Sequence, residues 1–274
     1  MAKSKKRRRS GIIRQLIFTV GLLICLYPLV TRAVNYLQLQ QQTAQLKADA
    51  AAQAKRAKKL AAQQGQQISL DSYGTSRAQK QLGKNLLGSI AIPSINVLLP
   101  MFDNVSDNVL NHGAGVIPGT SAPIGGKGTH TAISAHSGMP TKTLFSNLKK
   151  VKRGDVFILT VAGKHRAYKV DRIQTVLPTE AEALKVQAGR DLATLVTCTP
   201  VPANTHRLLV TGHRVPYTKA VANSAKKAQH QETWRNIVIL AGIFWGLVTL
   251  IAHQVWRWQN REKQSRAKRL EDED

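Results

Sequence analysis

The 274-residue chain has room for one full domain with flanking segments and too little for two large ones. It is 43% hydrophobic but only 5% aromatic, and its formal charge of +25 would ordinarily raise nucleic acid as a partner. The basic residues are scattered, with short clusters such as Lys149, Lys150, Lys152 and Arg153 and no basic stretch with interleaved aromatics. A nucleic-acid partner is therefore set aside in favour of an anionic wall or membrane surface.

Residues 1–10 form a basic tail ahead of an apolar run from Ile12 to Val30, broken by Arg14, Gln15 and Thr19. The run reaches spanning length and no small-residue cleavage site follows it, which predicts an uncleaved membrane anchor over 11–34 rather than a removed signal peptide. From Asn35 to Gln67 the chain is rich in Ala, Gln and Lys, with no Pro and no Gly before Gly65. These are strong helix formers. The leucines are too sparse for a core face and keep no heptad, so a solvated helical stalk is expected within 35–85.

Short apolar runs punctuated by Gly and Pro begin at Leu86. Strands are predicted at 88–92, 131–135, 155–161, 167–175, 193–197 and 207–213, with short helices at 107–111 and 143–148. The pattern is mainly β, a barrel or sandwich over 86–217. Gly125–Gly126–Lys127–Gly128 has no helix after it and reads as a turn rather than a phosphate loop. A linker at 218–235 leads to a second apolar run, Ile237–Trp256, flanked by Trp234 and Trp258. A membrane helix is expected over 236–256, followed by a tail at 257–274. Lys and Arg crowd the outer flanks of both runs, at 3–9 and 257–269. By the positive-inside rule both termini are cytoplasmic and the middle of the chain is extracellular.

The chain has two cysteines, and Cys25 lies in the first apolar run, so a disulfide with Cys198 is not expected. Cys198 ends a β-branched run just before Thr199-Pro200, where a strand must stop. His136 closes another run, and Arg207 opens a third, nine positions after Cys198. A hairpin over 199–206 would set Cys198 and Arg207 side by side. A thiol needs a base or a cation nearby to become an effective thiolate, and a guanidinium can hold a developing oxyanion. His206 and His213 are the competing candidates for the base. Strand alternation turns His206 to the face opposite Arg207. The eight histidines are dispersed and no Cys/His spacing fits a zinc site, so neither metal nor other cofactor is called for.

Together these residues resemble the sortase family. The resemblance is carried by Thr194-Leu-Val-Thr-Cys198-Thr-Pro200, Asn204-Thr-His-Arg207-Leu-Leu-Val210 and Gly212-His-Arg214. Upstream, Gly113-Ala-Gly115, Pro123–Gly126, Thr129–Gly138, Phe145–Leu148 and Val151–Val156 add to it, so the likeness runs from about 86 to 216. It implies the eight-stranded sortase β-barrel, with Cys198 as nucleophile, His136 as acid–base and Arg207 as substrate or oxyanion stabiliser. Thr197 and Ser134 are further candidates for substrate contact. The implied reaction is transpeptidation of a Leu-Pro-x-Thr-Gly-type sorting signal, cleaved between Thr and Gly, with transfer to an amine.

Within the family, the second apolar run, the stretch at 204–210 and Asp71-Ser72-Tyr73 resemble the class C, pilus-polymerising type. There an Asp-Pro-aromatic lid covers the site, so Asp71 would pair with Arg207 and Tyr73 would lie over Cys198. Ser72 stands where that lid carries Pro, which makes a less rigid segment. Val201 stands where class C enzymes often carry Tyr. A class C enzyme takes a pilin lysine as acceptor, and a housekeeping class A type takes a peptidoglycan cross-bridge amine. A non-catalytic assembly scaffold is the third reading.

Overall fold

The computed structural model describes residues 49–65, 68, 70 and 85–224, with isolated positions within 21–34 and 227–260. The chain divides into two units, 1–229 and 230–274. In the second unit the described positions, among them Trp234, Ile237–Ile239, Trp245 and Trp256, are helical and exposed. Among the described residues no helix is long and apolar enough to cross a membrane. The expected span at 11–34, the tails beyond both spans and the expected lid at Asp71-Ser72-Tyr73 fall largely outside those residues, whereas the described positions within 236–256 are helical.

The first unit holds eight strands: β1 (Leu86–Ile92), β2 (Val97–Phe102), β3 (Ala114–Val116), β4 (Thr129–Ser134), β5 (Val156–Val161), β6 (Lys164–Val176), β7 (Asp191–Thr199) and β8 (His206–Val215). They close into a barrel in the order β1-β2-β3-β4-β7-β8-β6-β5. The β2–β3 and β4–β7 pairs are parallel and the others antiparallel. Among the described residues two helices flank the strands, α1 (Ala50–Ala62) and the single turn α2 (Asp107–Leu110), which crosses between the parallel β2 and β3, and residues 219–224 after β8 are also helical.

The six predicted strands are present, and most run a few residues longer than predicted. β2 and β3 had no local signal: Pro100 interrupts the first and the second has three residues. The helix expected at 143–148 is a set of turns, because Leu144 adopts φ +36, and only Leu148–Lys150 forms a 3-10 turn.

The wall of the barrel is buried on both faces where it matters most. Alternate residues of β4, β7 and β8 point to opposite sides. Ile133, Ala135, Ala193, Leu195 and Val210 join the interior, with Leu99, Met101, Phe157 and Tyr168. Their neighbours Ala132, Val196 and Leu209 form a second cluster on the outer face, closed over by Ile117, Leu184 and Leu70. Close approach is exacting at β1, where a Cβ on Gly88 would lie 2.0 Å from the Thr160 carbonyl oxygen.

The expectation of a solvated stalk fails for α1. Ala57 is 1% exposed within the core and Leu60 packs against it. The buried Gln53 accepts a hydrogen bond from the Ala162 N–H at 2.9 Å, and Arg56 donates to the Leu86 carbonyl. One face of three small or polar residues docks this helix, and a count of leucines does not register such a face.

Candidate active site

Cys198 is the last residue but one of β7, and Arg207 is the second residue of β8. The antiparallel register pairs them directly. The connection between them is tight: the Asn204 N–H donates to the Pro200 carbonyl at 2.7 Å, with Asn204 itself at φ +55. On the other side of β7, parallel β4 pairs Ser134 with Val196, and the Ala135 N–H still donates to the Val196 carbonyl at 3.2 Å. β4 ends at Ser134, and two residues further His136 is held beside the end of β7 by the Ser137 hydroxyl on the Cys198 carbonyl. A sheet spaces neighbouring strands about 4.8 Å apart. Thiol and guanidinium bearers therefore stand side by side across β7 and β8, with the imidazole bearer just past the end of β4. By alternation the pair belongs to the outer face, next to Val196 and Leu209.

The electrostatics of the site follow from burial. Cys198 is a half-buried free thiol. Burial pushes the His136 pKa below its ordinary value, and the nearby Asp107 carboxylate works against that shift. Arg207 is only 8% exposed, so its charge must be met by polar groups. Its Nη1 donates to the carbonyls of Asn204 (2.9 Å) and His206 (3.1 Å), and its Nε donates to the Leu70 carbonyl at 3.2 Å. A guanidinium held this way can grip a peptide carbonyl beside the thiol.

The other sequence candidates separate. Thr197 and Ser134 are both buried, and the Thr197 hydroxyl donates to the Ala135 carbonyl at 2.8 Å, tying β7 to β4. His206 is paired with Thr199 and bonded to the Thr205 hydroxyl at 2.8 Å. His213 lies towards the other end of β8, 3.1 Å from Asp171. Neither histidine belongs to the site.

Other residues make contacts here to which the sequence reading gave no role. The Ser137 hydroxyl donates to the Cys198 carbonyl at 2.6 Å. Val201 lies on Gly138, where an added Cβ would meet its Cγ1 at 2.4 Å. Further along the same face, wholly buried His130 bonds the Lys185 carbonyl (2.9 Å) and the Thr194 hydroxyl (2.7 Å), which in turn meets the Thr211 hydroxyl at 2.8 Å. The only signal for Ser137 was a hydroxyl residue directly after a candidate histidine at a strand end.

A closed β-barrel with a thiol and a guanidinium paired on its outer wall, and an imidazole at the end of the strand beside them, defines a cysteine-centred β-barrel of the sortase type. A family profile described as "Sortase domain" matches residues 90–215. The structure is similar to that of a sortase C of Streptococcus pneumoniae, with a TM-score of 0.57 and 39% identity over 66% of this chain and 96% of that one. It is also similar to the pilus-related sortase C of Group B Streptococcus, with a TM-score of 0.53 and 41% identity over 66% of this chain and 97% of that one. Among curated proteins, a sortase A of Streptococcus agalactiae is 34% identical over 128 residues, 46% of this chain and 51% of that protein. The chain spans about half the length of the curated relatives it matches. The chain belongs to the sortase family.

Proposed function

We propose that the chain is a membrane-anchored cysteine transpeptidase that polymerises pilin subunits, a class C sortase. Cys198 attacks the Thr carbonyl of a Leu-Pro-x-Thr-Gly-type sorting signal. Arg207 holds the carbonyl oxygen as it takes up charge, and His136 protonates the leaving glycine amine. A second amine, a pilin lysine, then displaces the thiol from the thioester and returns a proton to His136. The observation that carries this reading is the pairing of Cys198 with Arg207, with His136 tied beside them through the Ser137 hydroxyl on the Cys198 carbonyl.

Arg207 Nε already donates to one peptide carbonyl, that of Leu70, the same chemistry a substrate would offer. Leu70 is the residue before Asp71 and is wholly buried beside Val196 and Leu209. The chain thus reaches the site just ahead of the Asp71-Ser72-Tyr73 segment, which supports reading Asp71 and Tyr73 as a lid. Similarity to pilus-related sortases C favours pilin as partner. A second reading is favoured by the curated sortase A relatives: a housekeeping enzyme that uses a peptidoglycan cross-bridge amine. In either case the barrel lies outside the cell membrane, with both termini cytoplasmic.

The test uses the full chain in right-side-out membrane vesicles, with a Leu-Pro-x-Thr-Gly peptide added outside. A thioester adduct on Cys198, absent in Cys198→Ala, is the expected result. An adduct that forms only after detergent lysis would overturn the extracellular placement. No adduct under either condition would overturn the transpeptidase. Products linked through a lysine side chain separate the class C reading from the class A one.

A further inference from the structure

β4 and β7 run parallel, and each rung of their ladder lies two residues beyond the last. The Ala135 N–H donates to the Val196 carbonyl. The next rung in that pattern is the Ser137 N–H on the Cys198 carbonyl, the bond that would pair His136 with Cys198 by backbone. That rung is not made. The Ser137 hydroxyl donates to the same carbonyl at 2.6 Å instead. At His136 the β4 chain has left the sheet while staying tied to β7 through one side chain.

Other contacts hold the peeled segment in place. The Thr197 hydroxyl bonds the Ala135 carbonyl on one flank of His136. The Phe145 N–H donates to the His136 carbonyl at 3.0 Å, and the Gly138 N–H donates to the Ser146 hydroxyl at 2.9 Å. Gly138 adopts φ +76 with Val201 pressed on it, a second tie between the loop after β4 and the loop after β7. Among the described residues the His136 ring itself makes no hydrogen bond, so its place is set by its backbone.

We propose that Ser137 is a positioning residue: its hydroxyl replaces a backbone rung and so sets the separation of the His136 imidazole from the Cys198 thiol. The inference rests on reading His136 and Cys198 as acid–base and nucleophile. A backbone rung would keep the two side chains at sheet spacing, with no room for a peptide group between them. Attack needs the carbonyl carbon within about 3–3.5 Å of the sulfur while the imidazole still reaches the leaving nitrogen. A hydroxyl tether is longer than a backbone rung by one side chain and meets both needs.

The experiment compares the full chain in detergent with its Ser137→Ala, Ser137→Thr and Val201→Ala variants. Two quantities are read: the pH dependence of Cys198 alkylation by iodoacetamide, and kcat and KM for the sorting peptide. Alkylation is followed on the Cys198 peptide by mass, because Cys25 is a second thiol. Ser137→Ala is expected to lower kcat about three- to tenfold, the value of one hydrogen bond, with KM little changed. Its alkylation profile should shift as the imidazole moves relative to the thiol, and Ser137→Thr should restore both. Val201→Ala, at an exposed position, should lower kcat by a smaller factor even if Ser137→Ala fails to fold. Unchanged kcat and alkylation profile in both Ala variants, with wild type active, overturn the positioning role alone. An alkylation shift in a chain that transfers no peptide upholds the positioning role and overturns the acyl-donor reading.

Discussion

His136 is a histidine whose burial works against its proposed task. Protonating a leaving amine needs the imidazolium, and burial favours the neutral ring. Asp107, at the start of α2, restores part of the charged form. In Asp107→Asn the acidic limb of kcat/KM should therefore move to lower pH. The rate should fall about two- to threefold, because the imidazolium population drops by the same factor as the shift. High salt should erase the difference. A limb that moves with no loss of rate would show that His136 is not the titrating group. The residues of this site were only partly legible in the sequence. Cys198 and Arg207 are joined by a short hairpin, so their spacing alone set them side by side. His136 reaches them from the end of a strand that runs parallel to one more than fifty residues on, which no local pattern encodes; the family likeness supplied it. Ser137 and Asp107 act through contacts that exist only once the strands are assembled.

At the scale of elements, α1 is the one most misjudged from composition. Ala, Gln and Lys make a helix soluble, yet a docking face needs only a small residue where backbones approach and a polar one where a turn is left unsatisfied. Ala57 meets the first need and Gln53 the second, capping the Ala162 N–H of the β5–β6 turn. Gln53→Ala should destabilise the barrel by about 1–3 kcal/mol, the cost of leaving a polar group there unpaired. Chemical denaturation measures it, and a change within error would mean that α1 is not part of the cooperative unit. The strands were read more successfully because β-branched runs bounded by Gly and Pro are a local signal. Pro100 hid β2, and three residues are too few to mark β3.

For the molecule as a whole, pH acts on stability through His130. Burial holds its pKa below the ordinary 6.5, with Arg172 and Arg190 acting the same way and the Lys185 carbonyl opposing. The unfolded chain therefore binds this proton at higher pH than the folded one. The stabilisation is complete above about 6.5 and is lost as pH falls from there towards the lower pKa of the folded form. Thermal unfolding should show a Tm that drops between about pH 7.5 and 5.5. The drop should be shallower in His130→Gln, and an equal drop in both would assign it to other groups.

The closed order of the eight strands has a consequence for how a partner is read. Many domains that bind extended peptides let the peptide join an open sheet as one more strand, so that affinity comes from main-chain bonds indifferent to sequence. A sheet that returns on itself has no vacant margin to lend. On the proposed reading, an extended polypeptide meeting this barrel is held through side chains and loop carbonyls, Arg207 among them. What is held then depends on side-chain chemistry more than on main-chain pairing.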